Sequence, residues 1–344
     1  MKTKTLIAIL LVIAIFIISS CSSNISGRVT EEKTKIGIIA PLTGDLANIG
    51  NSLKKGIEQA VKESNYKNIE LIFEDNQGKN DQTINAVKKL LEIDKVDLII
   101  TQTNAATLSA LPLIKEKGTL HFAITMDETI AKENKNSFVM FVSNYATAEG
   151  IHKYLQEKGI TELNAIINDN SATKGIVNFL TEKGVKVNEQ LVNKEIKDFK
   201  TELLKIKYKN GPILILVYST QLSSFIKNYI ELGFENKLIG DNIFSMLDKK
   251  DIPDNTAYIT LSLYEEENVK IAEYKKVLGE FDLSQFSFGY DSINMYLKSL
   301  QLSKNNNQGI IPNLLSIKEY KGLSGELGIN ANRYLDYKLI AVEV

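Results

Sequence analysis

The sequence predicts an α/β protein made of two doubly wound lobes, each with a parallel sheet covered by helices. Short apolar segments alternate with amphipathic helical patterns from Lys35 onward, and the same alternation starts again near residue 141. The chain has 344 residues, which is enough for two compact domains. These three observations define the fold class, and the elements can then be justified in order.

The first lobe is expected over residues 35–140. Its candidate strands are apolar on both faces, and Ile84, Val87 and Leu90 recur at helical spacing in one of the segments between them. Because a helix joins each strand to the next, the strands are expected to be parallel and covered on both sides. The strand candidates are "KIGIIAPL", "NIELIFED", "VDLIITQ" and "LHFAIT", and the helix candidates are "NSLKKGIEQAVKES", "DQTINAVKKLLEID" and "NAATLSALPLIKEK".

The second lobe is expected over residues 141–242. No Pro-, Gly- or Ser-rich linker separates the two halves, so we expect several extended crossings between them. The chain ends with two helical segments and a Gly-bearing stretch that is typical of a hairpin. The strand candidates are "FVMFVS", "ELNAIIND", "VKVNEQLV", "PILILVYS" and "KLIGDNIF", and the helix candidates are "TAEGIHKYLQEKG", "ATKGIVNFLTEKG", "FKTELLKIKYKN" and "QLSSFIKNYIELG". The segment "AYITLSLYEEEN" then precedes the last two helix candidates, "VKIAEYKKVLGEF" and "FGYDSINMYLKSLQLSK", and the hairpin candidate is "GLSGELGINANRYLDYKLIAVEV".

Residues 1–20 are typical of a signal peptide rather than of the fold. Two lysines precede the apolar run Leu6 to Ile18, which is too short to span a bilayer comfortably. Small residues precede Cys21, the one cysteine of the chain, as in a bacterial lipoprotein signal, whose cysteine is lipidated and becomes the new N-terminus. Residues 21–34 lack apolar periodicity and are expected to form a flexible tether. The alternative is an uncleaved helix with an incidental cysteine.

The composition argues against several function classes. A formal net charge of -1 provides no cationic field for nucleic acid or anionic lipid. One cysteine and two histidines, His121 and His152, argue against a cysteine metal cluster and a histidine-based metal or hydrolase site. The sequence has no GxGxxG, GK[ST], GxSxG, HExxH or CxxC motif. We therefore expect no metal, no cofactor and no catalytic residue, although an acid–base pair of Asp and Glu alone stays open.

Polar residues follow the candidate strands at the end where parallel sheets bind ligands. In such sheets the ligand lies beyond the carboxyl ends of the strands, near helix N-termini. Thr103 or Asn104 is a candidate N-cap whose helix start suits a carboxylate, and Asp127 could accept hydrogen bonds from an ammonium group. Each residue also has a plainer interpretation as a cap, a strand end or a turn. The candidate ligand-binding residues are Thr43, Asn48, Thr103, Asn104, Ala105, Thr125, Met126, Asp127, Tyr218, Asp241 and Asn242.

Several longer segments carry a family resemblance. They are "IGIIAPLTGDLANIGNSLKKGIEQAV", "FEDNQGKNDQTINAVKKLLEIDKVDLII", "NAATLSALPLIKEKG", "KDFKTELLKIK", "IELGF", "FGYDSINMYLKSL" and "LSGELGINANRY". In this order they resemble the branched-chain amino acid (Leu/Ile/Val) binding proteins, the type I periplasmic binding proteins that serve ABC transporters. The resemblance implies two lobes joined by three crossings, near residues 139–146, 242–260 and 322–332. Part of 243–322 would then return to the first lobe, and part of 260–344 to the second.

The resemblance also implies where the ligand is held. It places carboxylate contacts on the loop from Thr103 to Thr107, and a hydroxyl and backbone pair that touches carboxylate and ammonium on the loop from Thr125 to Asp127. The second lobe would contribute Tyr218 and an acidic residue near Asp241 and Asn242. Four positions depart from the family pattern: Ile49 replaces an aromatic residue, Ala172-Thr173 replaces a Tyr-Gly pair, Asn104 replaces a serine, and Asn242 is a candidate replacement for the acidic partner.

These observations predict a lipid-anchored, extracytoplasmic solute-binding protein of an ABC importer. It would capture an amino acid or a similar small polar ligand between two closing lobes and deliver it to a membrane permease. We expect a monomer that is not an enzyme. The departures from the family pattern leave one alternative open, a regulatory or sensory lipoprotein of the same fold that acts on a cell-envelope partner. An enzyme is the weaker alternative.

Overall fold

The computed structural model describes residues 33–206, 210–261 and 269–344. Strands and helices alternate along these ranges, and apolar strand residues are buried beneath the helices, as the sequence pattern predicted. The predicted signal peptide, Cys21 and all of the tether except Lys33 and Thr34 lie outside the described residues, as does the acidic end of "AYITLSLYEEEN". Within the described ranges, no helix combines the length and apolar character needed to cross a membrane.

The elements have the following bounds in chain order. The strands are β1 (Thr34–Ala40), β2 (Ile69–Asp75), β3 (Leu98–Gln102), β4 (Leu120–Ile124), β5 (Ser137–Val139), β6 (Glu162–Asn168), β7 (Lys186–Val192), β8 (Ile213–Leu216), β9 (Leu238–Gly240), β10 (Thr256–Leu261), β11 (Tyr320–Gly322), β12 (Gly325–Ile329), β13 (Leu335–Tyr337) and β14 (Leu339–Glu343). The α-helices are α1 (Ala47–Glu63), α2 (Asn80–Lys88), α3 (Asn104–Lys117), α4 (Thr129–Glu133), α5 (Asn144–Glu157), α6 (Ser171–Glu182), α7 (Lys200–Ile206), α8 (Ser219–Glu231), α9 (Val269–Leu278), α10 (Leu283–Asn306) and α11 (Ile310–Ser316). A π-helical turn (Lys89–Asp94) and two 3₁₀ turns (Asn242–Met246 and Lys249–Asp251) complete them.

Two mainly parallel sheets form the centres of the two lobes. The first has five parallel strands in the order β2-β1-β3-β4-β5. The second has six strands in the order β14-β10-β9-β8-β6-β7, and only β14, which pairs with β10, runs antiparallel. Every residue of β3, β4 and β8 is buried, which explains why these segments are apolar on both faces. The predicted strand "KLIGDNIF" ends early, at Gly240, because a 3₁₀ turn follows.

Helix α10 packs on α1 at a distance that only glycine allows. A Cβ atom on Gly56 would lie 2.0 Å from the carbonyl oxygen of Phe286, and one on Gly289 would lie 2.5 Å from the carbonyl oxygen of Leu53. The two backbones therefore touch where the helices cross. This contact brings α10 from the C-terminal part of the chain onto the first lobe, whose core also includes Tyr296.

The chain passes between the lobes at three places, two of which lie later than predicted. The first crossing lies between β5 and α5, inside the predicted range 139–146. The second differs from the predicted range 242–260, because β10, which ends at Leu261, still pairs with β9 in the second sheet, whereas α9, which begins at Val269, packs in the first-lobe core. The third is at Lys338, not in 322–332, because β11, β12 and β13 form a small antiparallel sheet against the first-lobe core while β14 pairs with β10. The predicted terminal hairpin is therefore divided between the two lobes.

Candidate functional site

A cavity of about 740 Å³ lies beyond the carboxyl ends of β3 and β4, where the first lobe faces the second. This volume is in the range of sites that hold small molecules. Its wall includes residues from the N-terminal ends of α3, α5, α6 and α8. Among the described residues that line it there is no Lys, Arg or His, and the carboxylic acids are Asp127 and Glu128. The cavity therefore offers helix N-termini to an anionic group and carboxylates to a cationic one.

Thr103 joins β3 to α3 in a strained conformation. Its φ is 75° and its ψ is 148°, a region that β-branched residues rarely occupy. The Thr103 N–H donates to the carbonyl of Ile124 at 3.2 Å, and the Thr103 carbonyl accepts from the backbone N–H of Thr107 at 3.1 Å. The Thr103 side chain makes no capping hydrogen bond. The first turn of α3 therefore has no side-chain cap at the cavity wall, which suits an anionic ligand.

The loop after β4 brings a hydroxyl and a carboxylate to the same wall. Thr125 is buried, and its hydroxyl donates to Asn104 Oδ1 at 3.3 Å and accepts from the Asp127 N–H at 3.4 Å. Asp127 Oδ1 accepts from the backbone N–H and the hydroxyl of Thr129, at 3.0 and 2.6 Å, and so caps α4. Its other oxygen has no hydrogen bond to a described residue and is available for a ligand ammonium group.

Two glutamines contribute to the wall and were not among the predicted residues. Gln102 Nε2 donates to the carbonyl of Ile49 at 3.1 Å and to Gln285 Oε1 at 2.7 Å. Because a backbone carbonyl only accepts, both amide orientations follow from these contacts. Gln102 Oε1 is buried and has no hydrogen-bond partner among the described residues. A polar residue at the carboxyl end of an apolar strand was the available signal for Gln102, whereas Gln285 lies 183 residues away in sequence.

Glu128 is a third wall residue that the sequence did not single out as a binding residue. It lies beside Asp127 in the sequence. Its Oε2 atom is buried and has no hydrogen-bond partner among the described residues. Burial, followed by the charge of Glu128, raises the pKa of Tyr334, so the carboxylate acts toward the residue that precedes β13 as well as toward the cavity.

Two helix starts of the second-lobe wall, those of α5 and α6, already have side-chain caps, and the cap of α5 is the hydroxyl of Ser143, which accepts from the backbone N–H of Ala146 at 3.1 Å. Asn170 Oδ1 accepts from the backbone N–H of Thr173 at 3.0 Å, and Gln221 Oε1 accepts from the backbone N–H of Tyr218 at 3.1 Å. Asn170, Ala172 and Tyr218 line the cavity, and Tyr218 is 46% exposed. An exposed aromatic residue at the mouth of a cavity can cover a ligand when the lobes approach each other.

The structure brings together some of the predicted residues and leaves others outside. Ile49 and Ala172, two of the departures from the family pattern, also lie on the cavity wall. The loop "PLTGDLANIG" therefore contributes Ile49 rather than its polar side chains. Six predicted residues line the cavity, namely Thr103, Asn104, Thr125, Met126, Asp127 and Tyr218. Five do not, namely Thr43, Asn48, Ala105, Asp241 and Asn242.

Each of these five has another position or role. The Thr43 hydroxyl donates to Asp75 Oδ2 at 2.6 Å, and the carbonyl of Asn48 accepts from the hydroxyl of Ser52 at 2.7 Å. Ala105 is exposed on the first turn of α3. Asp241 Oδ1 accepts from the backbone N–H of Ile243 at 3.2 Å and caps the 3₁₀ turn that starts at Asn242. Burial raises the pKa of Asp241 to about 6.

Comparisons with known proteins agree with this geometry. No curated protein sequence shows a significant match to the chain. A leucine-binding protein from Thermotoga maritima has a TM-score of 0.72 at 18% identity, over 90% of this chain and 95% of its own. The substrate-binding protein of a branched-chain amino acid transporter from Streptococcus pneumoniae, in complex with isoleucine, has a TM-score of 0.72 at 18% identity, over 91% and 96%. A solute-binding protein of an ABC transporter from Rhodopseudomonas palustris, in complex with 3,4-dihydroxybenzoic acid, has a TM-score of 0.74 at 22% identity, over 91% and 93%.

At these identities the structural similarities establish the fold, which is that of the type I periplasmic binding proteins. The family itself is established by sequence, because a family profile described as periplasmic binding protein matches residues 33–334. Such proteins act outside the cytoplasm and bind solutes without converting them. The chain therefore belongs to the periplasmic binding protein family and is a solute-binding protein, not an enzyme.

Proposed function

We propose that this protein is a lipid-anchored component of an ABC importer, which captures an amino acid or a similar small polar ligand and delivers it to a membrane permease. One observation carries the choice of ligand class. The uncapped start of α3 at Thr103 and the carboxylate of Asp127 lie on the same cavity wall. The first suits a carboxylate and the second an ammonium group, which are the two charged groups of an α-amino acid.

The similar structures support two ligand classes, and Asp127 distinguishes them. One is a leucine-binding protein and one holds isoleucine, whereas another holds 3,4-dihydroxybenzoic acid. Both classes carry a carboxylate, which the α3 start could bind. Only the amino acid carries an ammonium group for the free oxygen of Asp127. An aromatic acid would leave the carboxylates of Asp127 and Glu128 without a cationic partner, so we favour the amino acid.

Capture would use closure of the second lobe on the first. The ligand would bind first to the wall formed by Thr103, Thr125 and Asp127, and Tyr218 would then cover it. To shift the equilibrium from 1:99 to 99:1, a ligand must favour the closed form by roughly 5.5 kcal/mol. Charge-assisted hydrogen bonds of about 1.5–3 kcal/mol each could supply this energy from a few contacts.

A thermal-shift screen tests the ligand class. The soluble chain that begins at Ser22 would be screened with L-amino acids, benzoic acids, small amides and polyamines. A ligand at 100 times its Kd stabilises the folded state by about 2.7 kcal/mol, enough for a shift of several degrees. A shift with an amino acid supports the proposal, and a shift with benzoic acids alone contradicts the assignment to Asp127. No shift in a folded sample contradicts ligand capture and favours the regulatory lipoprotein.

The lipid anchor needs its own test, because Cys21 lies outside the described residues. The full chain would be expressed in a bacterial host that is supplied with an alkyne-labelled fatty acid. Label should enter the wild-type protein and be absent from Cys21→Ser, while the chain from Ser22 should stay unlabelled and free of the membrane. Equal labelling of wild type and Cys21→Ser would contradict lipidation at this residue.

A further inference from the structure

A continuous chain of buried side-chain hydrogen bonds lies behind the first-lobe wall of the cavity. On one side of His121, Nδ1 lies 2.8 Å from Ser137 Oγ, which in turn lies 2.9 Å from Asn134 Nδ2. On the other side, His121 Nε2 lies 2.9 Å from Thr101 Oγ1, which lies 2.8 Å from Thr107 Oγ1. The Thr107 hydroxyl reaches the carbonyl oxygen of Thr103 at 2.7 Å. The five side chains that form this series of hydrogen bonds are at most 4% exposed, and none of them lines the cavity. The one member that reaches the cavity is the last acceptor, Thr103.

The direction of every hydrogen bond in this chain follows from its last member. A backbone carbonyl only accepts, so the Thr107 hydroxyl donates its single proton to Thr103 and must accept from Thr101. The Thr101 hydroxyl therefore accepts from His121, and the proton of His121 lies on Nε2. Burial lowers the pKa of His121 to about 3, so the ring is neutral near pH 7 and Nδ1 accepts from Ser137. The Ser137 hydroxyl in turn accepts from Asn134.

We propose that this chain of hydrogen bonds, with His121 at its centre, positions the start of α3 for the ligand by holding Thr103 in its strained conformation. The inference rests on the proposed function, because it assigns a cause to the geometry of the carboxylate-binding loop. A strained residue persists only when its surroundings restrain it on both sides. At Thr103 the N–H is bound to Ile124, and the carbonyl accepts both the N–H and the hydroxyl of Thr107. The hydroxyl bond is the restraint that the buried chain supplies.

His121, Thr101 and Thr107 are positioning residues in this scheme, since they act on the ligand only through Thr103. A neutral imidazole provides one donor and one acceptor on opposite sides of a rigid ring, which allows it to join the two hydroxyl segments without an unpaired group. A chain of this kind rigidifies its surroundings when all its members are satisfied. Phe at this position would fill much of the same space and break the chain in the middle.

The first test needs no ligand. Nitrogen NMR of protein with labelled histidine should show His121 as the neutral Nε2–H tautomer between pH 5 and 8, with the signal of His152 removed by His152→Gln. A protonated ring at pH 6, or the Nδ1–H tautomer, would overturn the proposed direction of the chain. Amide exchange is the second readout. The N–H groups of residues 103 and 107, which are bound to Ile124 and Thr103, should exchange at least tenfold faster in His121→Phe and Thr107→Val.

Thr83 provides a matched control for lost stability. It is also buried on a helix, donates to the carbonyl four residues earlier (Lys79, 2.8 Å) and accepts from an amide (Asn76 Nδ2, 3.0 Å), but it does not line the cavity. Thr83→Val should lower Tm about as much as Thr107→Val and leave amide exchange at residues 103 and 107 unchanged. Thr107→Ser, which restores the hydroxyl, should recover most of the protection. Equal exchange rates in Thr83→Val and Thr107→Val would show that the hydrogen-bond chain is an ordinary part of the core and does not position Thr103.

The last readout is ligand affinity, measured by calorimetry with L-leucine and L-isoleucine. We expect the Kd to rise at least tenfold in Thr107→Val, to stay within twofold of wild type in Thr83→Val, and to return most of the way in Thr107→Ser. An unchanged Kd in Thr107→Val, with increased exchange at residue 103, would show that the loop geometry does not set affinity and would overturn the proposal. If wild type binds neither leucine nor isoleucine, these two amino acids are excluded as ligands, and the tautomer and exchange data still decide the role of the hydrogen-bond chain.

Discussion

The two walls of the cavity start their helices in opposite ways. On the second-lobe wall, Asn170 caps α6 and Ser143 caps α5, so these two helix starts have side-chain caps without a ligand, and at α8 Gln221 binds the N–H of the N-cap residue Tyr218. On the first-lobe wall, α3 begins without a side-chain cap after a residue at φ 75°. A helix start that is left open beside a cavity and held in strain marks a position where a ligand can take the place of the cap.

The solvent exposure of individual side chains also differs between the two walls. Gln102 and Thr125 on the first wall are 1% and 5% exposed, whereas Tyr218 on the second wall is 46% exposed. Gln102 and Thr125 are thus in place before a ligand arrives, whereas Tyr218, like Leu108 of the first wall at 42%, has surface that closure would bury. We infer that the first wall selects the charged groups of the ligand and the second wall senses that it is present.

The largest expected effect comes from the carboxylate of the first wall. Asp127→Asn keeps an oxygen that can cap α4 but removes the negative charge, so we expect the Kd for the amino acid found by the screen to rise roughly 10- to 100-fold with little change in Tm. Calorimetry measures the Kd. Asp45→Asn, an exposed acid in the loop after β1, is the control and should bind as wild type does. Equal affinity in both variants would remove Asp127 from the site.

A smaller effect is expected from the second wall. Tyr218→Ala removes the exposed ring that closure would bury, at a cost of roughly 1–1.5 kcal/mol, or about five- to tenfold in Kd. Because the first wall is untouched, the ligand should still bind, and the loss should be mainly in the dissociation rate. Stopped-flow dissociation measures this rate. A loss as large as that of Asp127→Asn would contradict the division of labour between the walls.

The contribution of helix capping on the two walls can be compared as changes in the free energy of unfolding. Asn170→Ala removes a side-chain cap and should lower the free energy of unfolding by about 1 kcal/mol. Thr103→Ala removes a side chain that caps nothing, so it should change this free energy by less than about half that amount. Urea denaturation of the ligand-free protein measures both. A larger loss in Thr103→Ala would mean that the first wall is capped in a way the geometry does not show.

The smallest effect is a pH dependence away from the cavity. Burial alone would raise the pKa of Glu63, but hydrogen bonds from Tyr274, Tyr290 and Gln59 and the contact with Lys270 outweigh it and lower the pKa to about 2. Because the pKa is lower in the folded state, this stabilisation is present above pH 4.5 and is lost as the pH falls toward 2. Because the Glu63 side chain is 33% exposed, solvent screens its interactions and we expect only roughly 0.5 kcal/mol. Urea denaturation at pH 6 and pH 3 should show a weaker pH dependence in Glu63→Gln, while ligand Kd at pH 7 stays unchanged.

Local patterns in the sequence determined most of the architecture and part of the site. The apolar strands and helical spacings follow from which residues must be buried, and they predicted two lobes with parallel sheets. The rule that ligands lie beyond the carboxyl ends of strands led to Thr103, Thr125 and Asp127, because the end of a strand is visible in the sequence itself.

The tertiary structure decided what depends on partners far apart in the chain. In the sequence, Asp241 was as good a candidate for a ligand-binding residue as Asp127. In the structure Asp241 caps the turn after β9, whereas Asp127 keeps an oxygen free at the cavity. Gln102, at the end of β3, donates to Gln285 of α10, a partner that no local pattern in the sequence indicates. The third crossing falls at Lys338 because β13 packs on one lobe and β14 pairs in the other, and no pattern in the sequence between them marks that division. Burial preference is a property of each residue and can be read along the chain, whereas the choice of partner depends on distances in space that only the folded chain defines.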